Sequence, residues 1–138
     1  MADRIAEGGC LCGAVRYRAD VAPVALALCH CQSCRRAAGA PSMAWAVFPQ
    51  DAFVFTQGEA SLYESSPGVI RGFCARCGTN LTYQNRARPA VIDVTTASLD
   101  RPEDFAPTKE IWIAEKIAWE QLNDAIPHFP QSSLKKSA

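Results

Sequence analysis

The seven cysteines of this 138-residue chain fall into three short clusters: Cys10-Leu11-Cys12, Cys29-His30-Cys31-Gln32-Ser33-Cys34 and Cys74-Ala75-Arg76-Cys77. An odd number of thiols leaves one over from any disulfide framework, whereas seven thiolates divide into four and three. Four sulfurs close a tetrahedral zinc site. Three leave a corner for water or a substrate, the feature that separates catalytic from structural zinc. Cys74-x-x-Cys77-Gly78 has the form of a zinc knuckle, in which Gly78 permits a tight turn. Cys10 and Cys12 lie between Gly9 and Gly13. In an extended strand residues i and i+2 share a face, so both sulfurs would meet one ion.

Cys29, Cys31 and Cys34 offer three donors to one ion, Cys34 near the start of a short helix whose dipole favours a thiolate. The chain has two histidines, His30 and His128. His30 stands between two cysteines, so its ring is expected to point away from their ion. His128, near Pro127 and Pro130, reads as a surface or loop residue within reach of the ion. The fourth position is either open to water or substrate or closed by a histidine, and the open site is the expectation. Spacing alone does not decide which clusters share an ion, since the knuckle can join either of the other two.

The elements that must position these sulfurs read mainly as short strands. Ala14-Val15-Arg16-Tyr17-Arg18 alternates with period two. Val24 to Leu28 runs into the second cluster, and Ser42 to Phe48 and Phe53 to Thr56 flank a turn at Pro49-Gln50-Asp51. Ser61 to Glu64 and Val69 to Phe73 pair around Ser66-Pro67-Gly68. Asn80 to Tyr83, Ala90 to Thr95 and Glu110 to Ala114 complete the strands. Helix signals are confined to Gln32 to Ala38, stopped by Gly39-Ala40-Pro41, a turn from Asp100 with Pro102 early in it, and Trp119 to Ala125. The expected fold is mainly β with one or two short helical turns, and Trp45, Phe48, Phe73 and Trp112 are assigned to packing. A single domain over residues 1–138 is expected.

Fourteen basic and fourteen acidic residues cancel. A neutral chain lacks the basic footprint of a nucleic-acid binder and has no patch for anionic lipid. The residues after Met1 hold no apolar leader, and no run is long enough for a membrane span. A cytoplasmic location is expected, where clustered thiols bind metal more often than they form disulfides.

Gly9-Cys10-Leu11-Cys12-Gly13-Ala14-Val15-Arg16-Tyr17, Cys29-His30-Cys31-Gln32-Ser33-Cys34-Arg35-Arg36 and Phe73-Cys74-Ala75-Arg76-Cys77-Gly78 occur in that order. Together they resemble the glutathione-dependent formaldehyde-activating enzyme family, the CENP-V/GFA domain. Ser98 to Pro102, the Trp112 region and Trp119 to Pro127 are similar too, so the resemblance runs over roughly residues 5–130. It implies the zinc-binding β-tent, a fold of small antiparallel sheets. It also implies that Cys10, Cys12, Cys74 and Cys77 share a structural zinc, while Cys29, Cys31 and Cys34 hold a second, catalytic zinc. One departure stands out: many relatives carry a histidine where this chain has Glu110, so no role of that histidine transfers.

A three-thiolate site is soft and electron-rich and suits a fourth sulfur ligand, bound as thiolate. By resemblance the expected chemistry is a carbon–sulfur lyase reaction, the joining of glutathione and formaldehyde into S-hydroxymethylglutathione. Glutathione carries two carboxylates and arginine binds carboxylates bidentately, which makes Arg35, Arg36, Arg71 and Arg76 candidate contacts. The competing expectations are a zinc-stabilised protein-binding module, with the second site closed or empty, and a thiol redox or metal sensor acting through Cys34.

Overall fold

A computed structural model describes residues 6–134 of the chain. The described backbone forms two compact units, one of the residues up to Ala25 with Ala46–Ala106, the other of Leu26–Trp45 with the residues from Pro107 on. Strands dominate the first, and the single α-helix among the described residues, in the second, is seven residues long. The fold is mainly β, built from small sheets.

The first unit contains an antiparallel three-stranded sheet, β1 (Ala6–Gly9), β2 (Arg16–Ala19) and β5 (Phe53–Gln57), in that spatial order. Alternation along β2 places Tyr17 and Ala19 inside, each 1% exposed, with Arg16 and Arg18 turned outward. Tyr17 stacks on Phe53 at 5.5 Å, and its hydroxyl meets Ser98 Oγ at 2.7 Å. A buried phenol needs such a partner, because an unpaired hydroxyl in the core costs a hydrogen bond.

The same unit carries the meander β6 (Ser61–Ser66), β7 (Val69–Phe73), β8 (Asn80–Asn85) and β9 (Val91–Thr95), neighbours in chain order. The turn expected at Ser66-Pro67-Gly68 joins β6 to β7, with Glu64 Oε2 accepting from the Gly68 amide at 3.0 Å. Phe48, Leu81, Ile92 and Val94 form the buried centre, and Phe105 meets Phe48 edge-on at 6.3 Å.

The second unit holds Leu26–Cys29 of β3 (Ala25–Cys29), which lies between β4 (Met43–Pro49) and β10 (Glu110–Ile111); β4 passes into the first unit at Ala46, so Phe48 belongs there. β10 runs parallel to β3, pairing Glu110 with Leu28 and Ile111 with Cys29. Helix α1 (Gln32–Ala38) follows β3 and ends at Gly39 in the left-handed conformation, whose amide donates to the Arg35 carbonyl. The expected Gly-then-Pro stop is realised there.

Three local expectations change. β1 has no alternating apolar pattern and was not anticipated; pairing with β2 holds it extended. The strand expected over Glu110 to Ala114 stops at Ile111, because Trp112 turns to φ +58° and opens a 3-10 turn over Ile113–Glu115. Trp119 to Ala125 forms no helix. Side chains take some of its backbone groups instead: Lys116 Nζ donates to the Glu120 carbonyl, as to those of Ile117 and Ala118 just before the segment, and the Asn123 amide donates to Glu110. Trp45 and Phe48 are buried as expected for packing, while Phe73 and Trp112 are half-buried.

Candidate metal centres

The four-sulfur cluster is made by two tight turns, each following a strand. After β1, the Gly13 amide donates to the Cys10 carbonyl at 3.1 Å, and Gly13 takes φ +80°. Cys10 and Cys12 therefore converge through a turn rather than along an extended strand, as the glycine-flanked spacing had suggested. After β7, the Gly78 amide donates to the Cys74 carbonyl at 2.8 Å, with Gly78 at φ +81°. Both glycines occupy backbone that other residues enter at a cost of about 1–2 kcal/mol.

The sulfurs of Cys10, Cys12, Cys74 and Cys77 lie within 4.8 Å of one another. Cys10 to Cys12 is 3.6 Å and Cys12 to Cys74 is 3.8 Å. A disulfide needs about 2.05 Å. A tetrahedron with metal–sulfur bonds of about 2.3 Å has edges of about 3.8 Å, so the spacing fits one ion held by four thiolates. Backbone amides already serve the sulfurs: Val15 N–H donates to Cys10 Sγ at 3.3 Å and Cys77 N–H to Cys74 Sγ at 3.4 Å. Such bonds favour the charged form.

Thr79, which the sequence did not single out, ties the two turns together. Its hydroxyl accepts from the Leu11 amide at 3.0 Å and meets Cys77 Sγ at 3.2 Å, and its carbonyl accepts from the Cys74 amide. The Thr79 side chain and backbone hold the Cys77 thiol down at about 5. The only sequence signal for Thr79 is its place directly after the knuckle's Cys-Gly.

The three-sulfur cluster sits in the second unit. Cys29 ends β3, Cys31 is the N-cap of α1, and Cys34 lies in that helix's first turn. The Cys34 amide donates to Cys31 Sγ at 3.3 Å, a sulfur taking the place of the usual capping oxygen. The three sulfurs lie within 4.8 Å of one another, and no described histidine, cysteine or carboxylate joins the group as a fourth donor. Cys29 is pushed up, first by its bonds with Cys31 and Cys34 and then by burial. Thiols this close ionise together only if a cation balances them, which is the chemistry of a metal-binding donor set.

His30 turns away from the sulfurs into the interior. It is fully buried, with Nε2 at 2.6 Å from Glu110 Oε1, and Glu110 is fully buried as well. Glu110 Oε2 accepts from the Asn123 amide, and His128 Nε2 approaches that oxygen at 3.7 Å while bonding the Asn123 carbonyl at 2.7 Å. The carboxylate that marks the chain's departure from the family pattern is thus part of a buried polar network. Nothing in its local sequence signals that burial.

The candidate arginines divide between the units. Arg35 lies on α1 and donates to the carbonyls of His30 and Glu115, so its guanidinium braces the chain around the cluster. Arg36 is exposed one residue on, beside Gln32. Arg71 is buried in β7, with Nε donating to Ser65 Oγ at 3.2 Å and its guanidinium 5.1 Å from the Tyr83 ring centre. Arg76 is exposed in the knuckle turn. Asp93, opposite Tyr83 on β9, also escaped the sequence reading; burial pushes its carboxyl up to about 6, with Arg88 pulling the other way.

Among the described residues no helix is long and apolar enough to cross a membrane. A protein of Schizosaccharomyces pombe named an uncharacterized lyase is 36% identical over 89 residues, covering 63% of this chain and 64% of that protein. The chain thus spans slightly under two thirds of that relative's length. A Halomonas elongata protein, provisionally named a glutathione-dependent formaldehyde-activating enzyme, is 27% identical over 126 residues, 84% of this chain and 80% of the relative. The crystal structure of a Rhodobacter sphaeroides protein matches with a TM-score of 0.59 at 21% identity, over 88% of this chain and 98% of that one, a likeness of fold. The family model described as glutathione-dependent formaldehyde-activating enzyme matches residues 5–115, across both cysteine clusters. The chain belongs to that family.

Proposed function

We propose that the protein is a zinc-dependent carbon–sulfur lyase that joins glutathione to formaldehyde or splits the adduct, and that each chain holds two zinc ions. Cys10, Cys12, Cys74 and Cys77 enclose the first, which is structural. Cys29, Cys31 and Cys34 hold the second and leave it one open position. The observation that carries this reading is the second cluster's composition: three converging sulfurs with no fourth protein donor among the described residues.

A zinc ion held by Cys29, Cys31 and Cys34 would supply a soft Lewis acid favouring the thiolate form of an incoming thiol. In the forward direction the glutathione sulfur attacks the carbonyl carbon of formaldehyde. A carbon–sulfur bond forms, the carbonyl π pair moves to oxygen, and that oxygen gains the proton the thiol gave up. S-hydroxymethylglutathione results with nothing oxidised or reduced. The chain's own contribution is to fix the three sulfurs by β3, the α1 cap and the Cys34 amide. Arg35 and Arg36, on the helix that carries Cys34, are proposed to meet the carboxylates of glutathione; the other two candidates, Arg71 and Arg76, lie in the first unit. The names of the two curated relatives, a lyase and a formaldehyde-activating enzyme, support the reaction class. The reading suits a reducing compartment such as the cytoplasm, a small-molecule thiol partner, and neither nucleic acid nor membrane.

Metal analysis of wild type and Cys34→Ser, each titrated calorimetrically with glutathione, tests the proposal. Wild type is expected to hold two zinc ions and bind the thiol; the variant keeps one zinc and loses thiol binding and adduct formation. Adduct formation persisting in Cys34→Ser or in metal-free protein contradicts it.

A further inference from the structure

The segment that carries Cys29 and Cys31 is held on one side by backbone pairing. The amides of Leu28 and His30 donate to the carbonyls of Lys109 and Ile111, each at 3.0 Å. Residue 110 stands between those two carbonyls, and its side chain returns to His30, the residue between the two cysteines. Among the described residues His30 Nδ1 meets no hydrogen-bond partner, and the ring is held through Nε2, against Glu110 Oε1 at 2.6 Å. The carboxylate cannot swing, because its other oxygen accepts from the Asn123 amide.

Both partners are fully buried. Removing a carboxylate and an imidazole from water is expensive, and an apolar pair of similar size would fill the same space without that cost. A fold needing only volume between β3 and β10 has no use for this pair. The bond does what an apolar contact cannot: it sets the direction of the His30 side chain, and with it the peptide that separates two of the three sulfurs.

We propose that Glu110 is the positioning residue of the three-sulfur site, holding His30 so that Cys29 and Cys31 present their sulfurs to one ion; this rests on reading that cluster as a metal site. Partners that bond the ligands themselves typically change metal affinity about 10–100-fold when removed; Glu110 acts through His30, between two ligands, which places its effect at the lower end of that range.

Titration of the full chain with Co(II), read by chelator competition and by the sulfur-to-cobalt absorption band, tests the assignment. Wild type should bind in two steps, and Cys34→Ser should delete the step that belongs to the three-sulfur site. Glu110→Leu should weaken that step by about tenfold or more, leaving the four-sulfur step unchanged. Glu110→Gln keeps an acceptor for His30 Nε2 but turns its NH2 toward the Asn123 N–H, so it should weaken the second step less than Glu110→Leu does. If the leucine variant does not fold, the glutamine variant decides: a weakened second step with the first unchanged supports the proposal. A second step unaltered in every folded Glu110 variant, or both steps weakened alike, overturns it. A single Co(II) step in wild type, or two steps surviving in Cys34→Ser, overturns instead the metal-site reading beneath it.

Discussion

Cysteine was the residue type whose role could be read from the chain itself, because metal-binding sulfurs declare themselves by identity and spacing. Carboxylates do not. Glu110 and Asp93 look like any solvated acid in the sequence, and only tertiary packing buries the first and half-buries the second. Asp93 gives a measurable consequence. Its native carboxyl sits at about 6, desolvation being the chief cause, whereas an unfolded aspartate titrates near 3.9. Between about pH 4 and 6 the native chain therefore binds more protons than the unfolded one, so this residue's contribution worsens as pH rises through that window. Above it the cost is about 3 kcal/mol at most. Asp93→Asn should be more stable than wild type at pH 7 by up to about 2–3 kcal/mol, the advantage vanishing by pH 4. Urea unfolding of both proteins at each pH measures this, and comparing them pairwise cancels the metal loss that acid causes in each. An advantage independent of pH, or none at pH 7, would contradict it.

The strands with clear alternation or β-branched runs were legible: β2, β5, β7, β8 and β9 all fall within a few residues of their expected places. Helix α1 was legible through its Gly-Pro stop. What failed to show was structure imposed from outside the segment. β1 has two glycines in four residues and is extended only because β2 pairs with it. Trp119 to Ala125 has helical composition, but Lys116 and Glu110 claim some of its backbone groups. The knuckle turns lie between these cases: the glycines after Cys12 and Cys77 were visible, and the positive φ they adopt explains their position. A Cβ at Gly78 would meet nothing within 4 Å, so Gly78→Ala isolates backbone strain from crowding. It should cost about 1–2 kcal/mol, with Gly78→Asn costing less because asparagine tolerates that conformation better. Thermal unfolding measures both; equal stability of alanine and wild type would mean that the turn relaxes freely.

At the scale of the whole molecule, seven sulfurs form a group of four in one unit and a group of three in the other. That uneven division was visible in the count of cysteines, although spacing left the partners open and the resemblance supplied them. The structure brings together the sets the resemblance implied, by turn geometry in one unit and by helix capping in the other. The proposed chemistry depends on how those sulfurs are shared between two ions. X-ray absorption at the zinc edge of fully loaded protein reads this directly, as the mean number of sulfur neighbours per zinc. Two zinc ions per chain are expected, with a mean of three and a half sulfurs each, rising to four when glutathione is added. One zinc per chain, or a mean that glutathione leaves unchanged, would contradict that division.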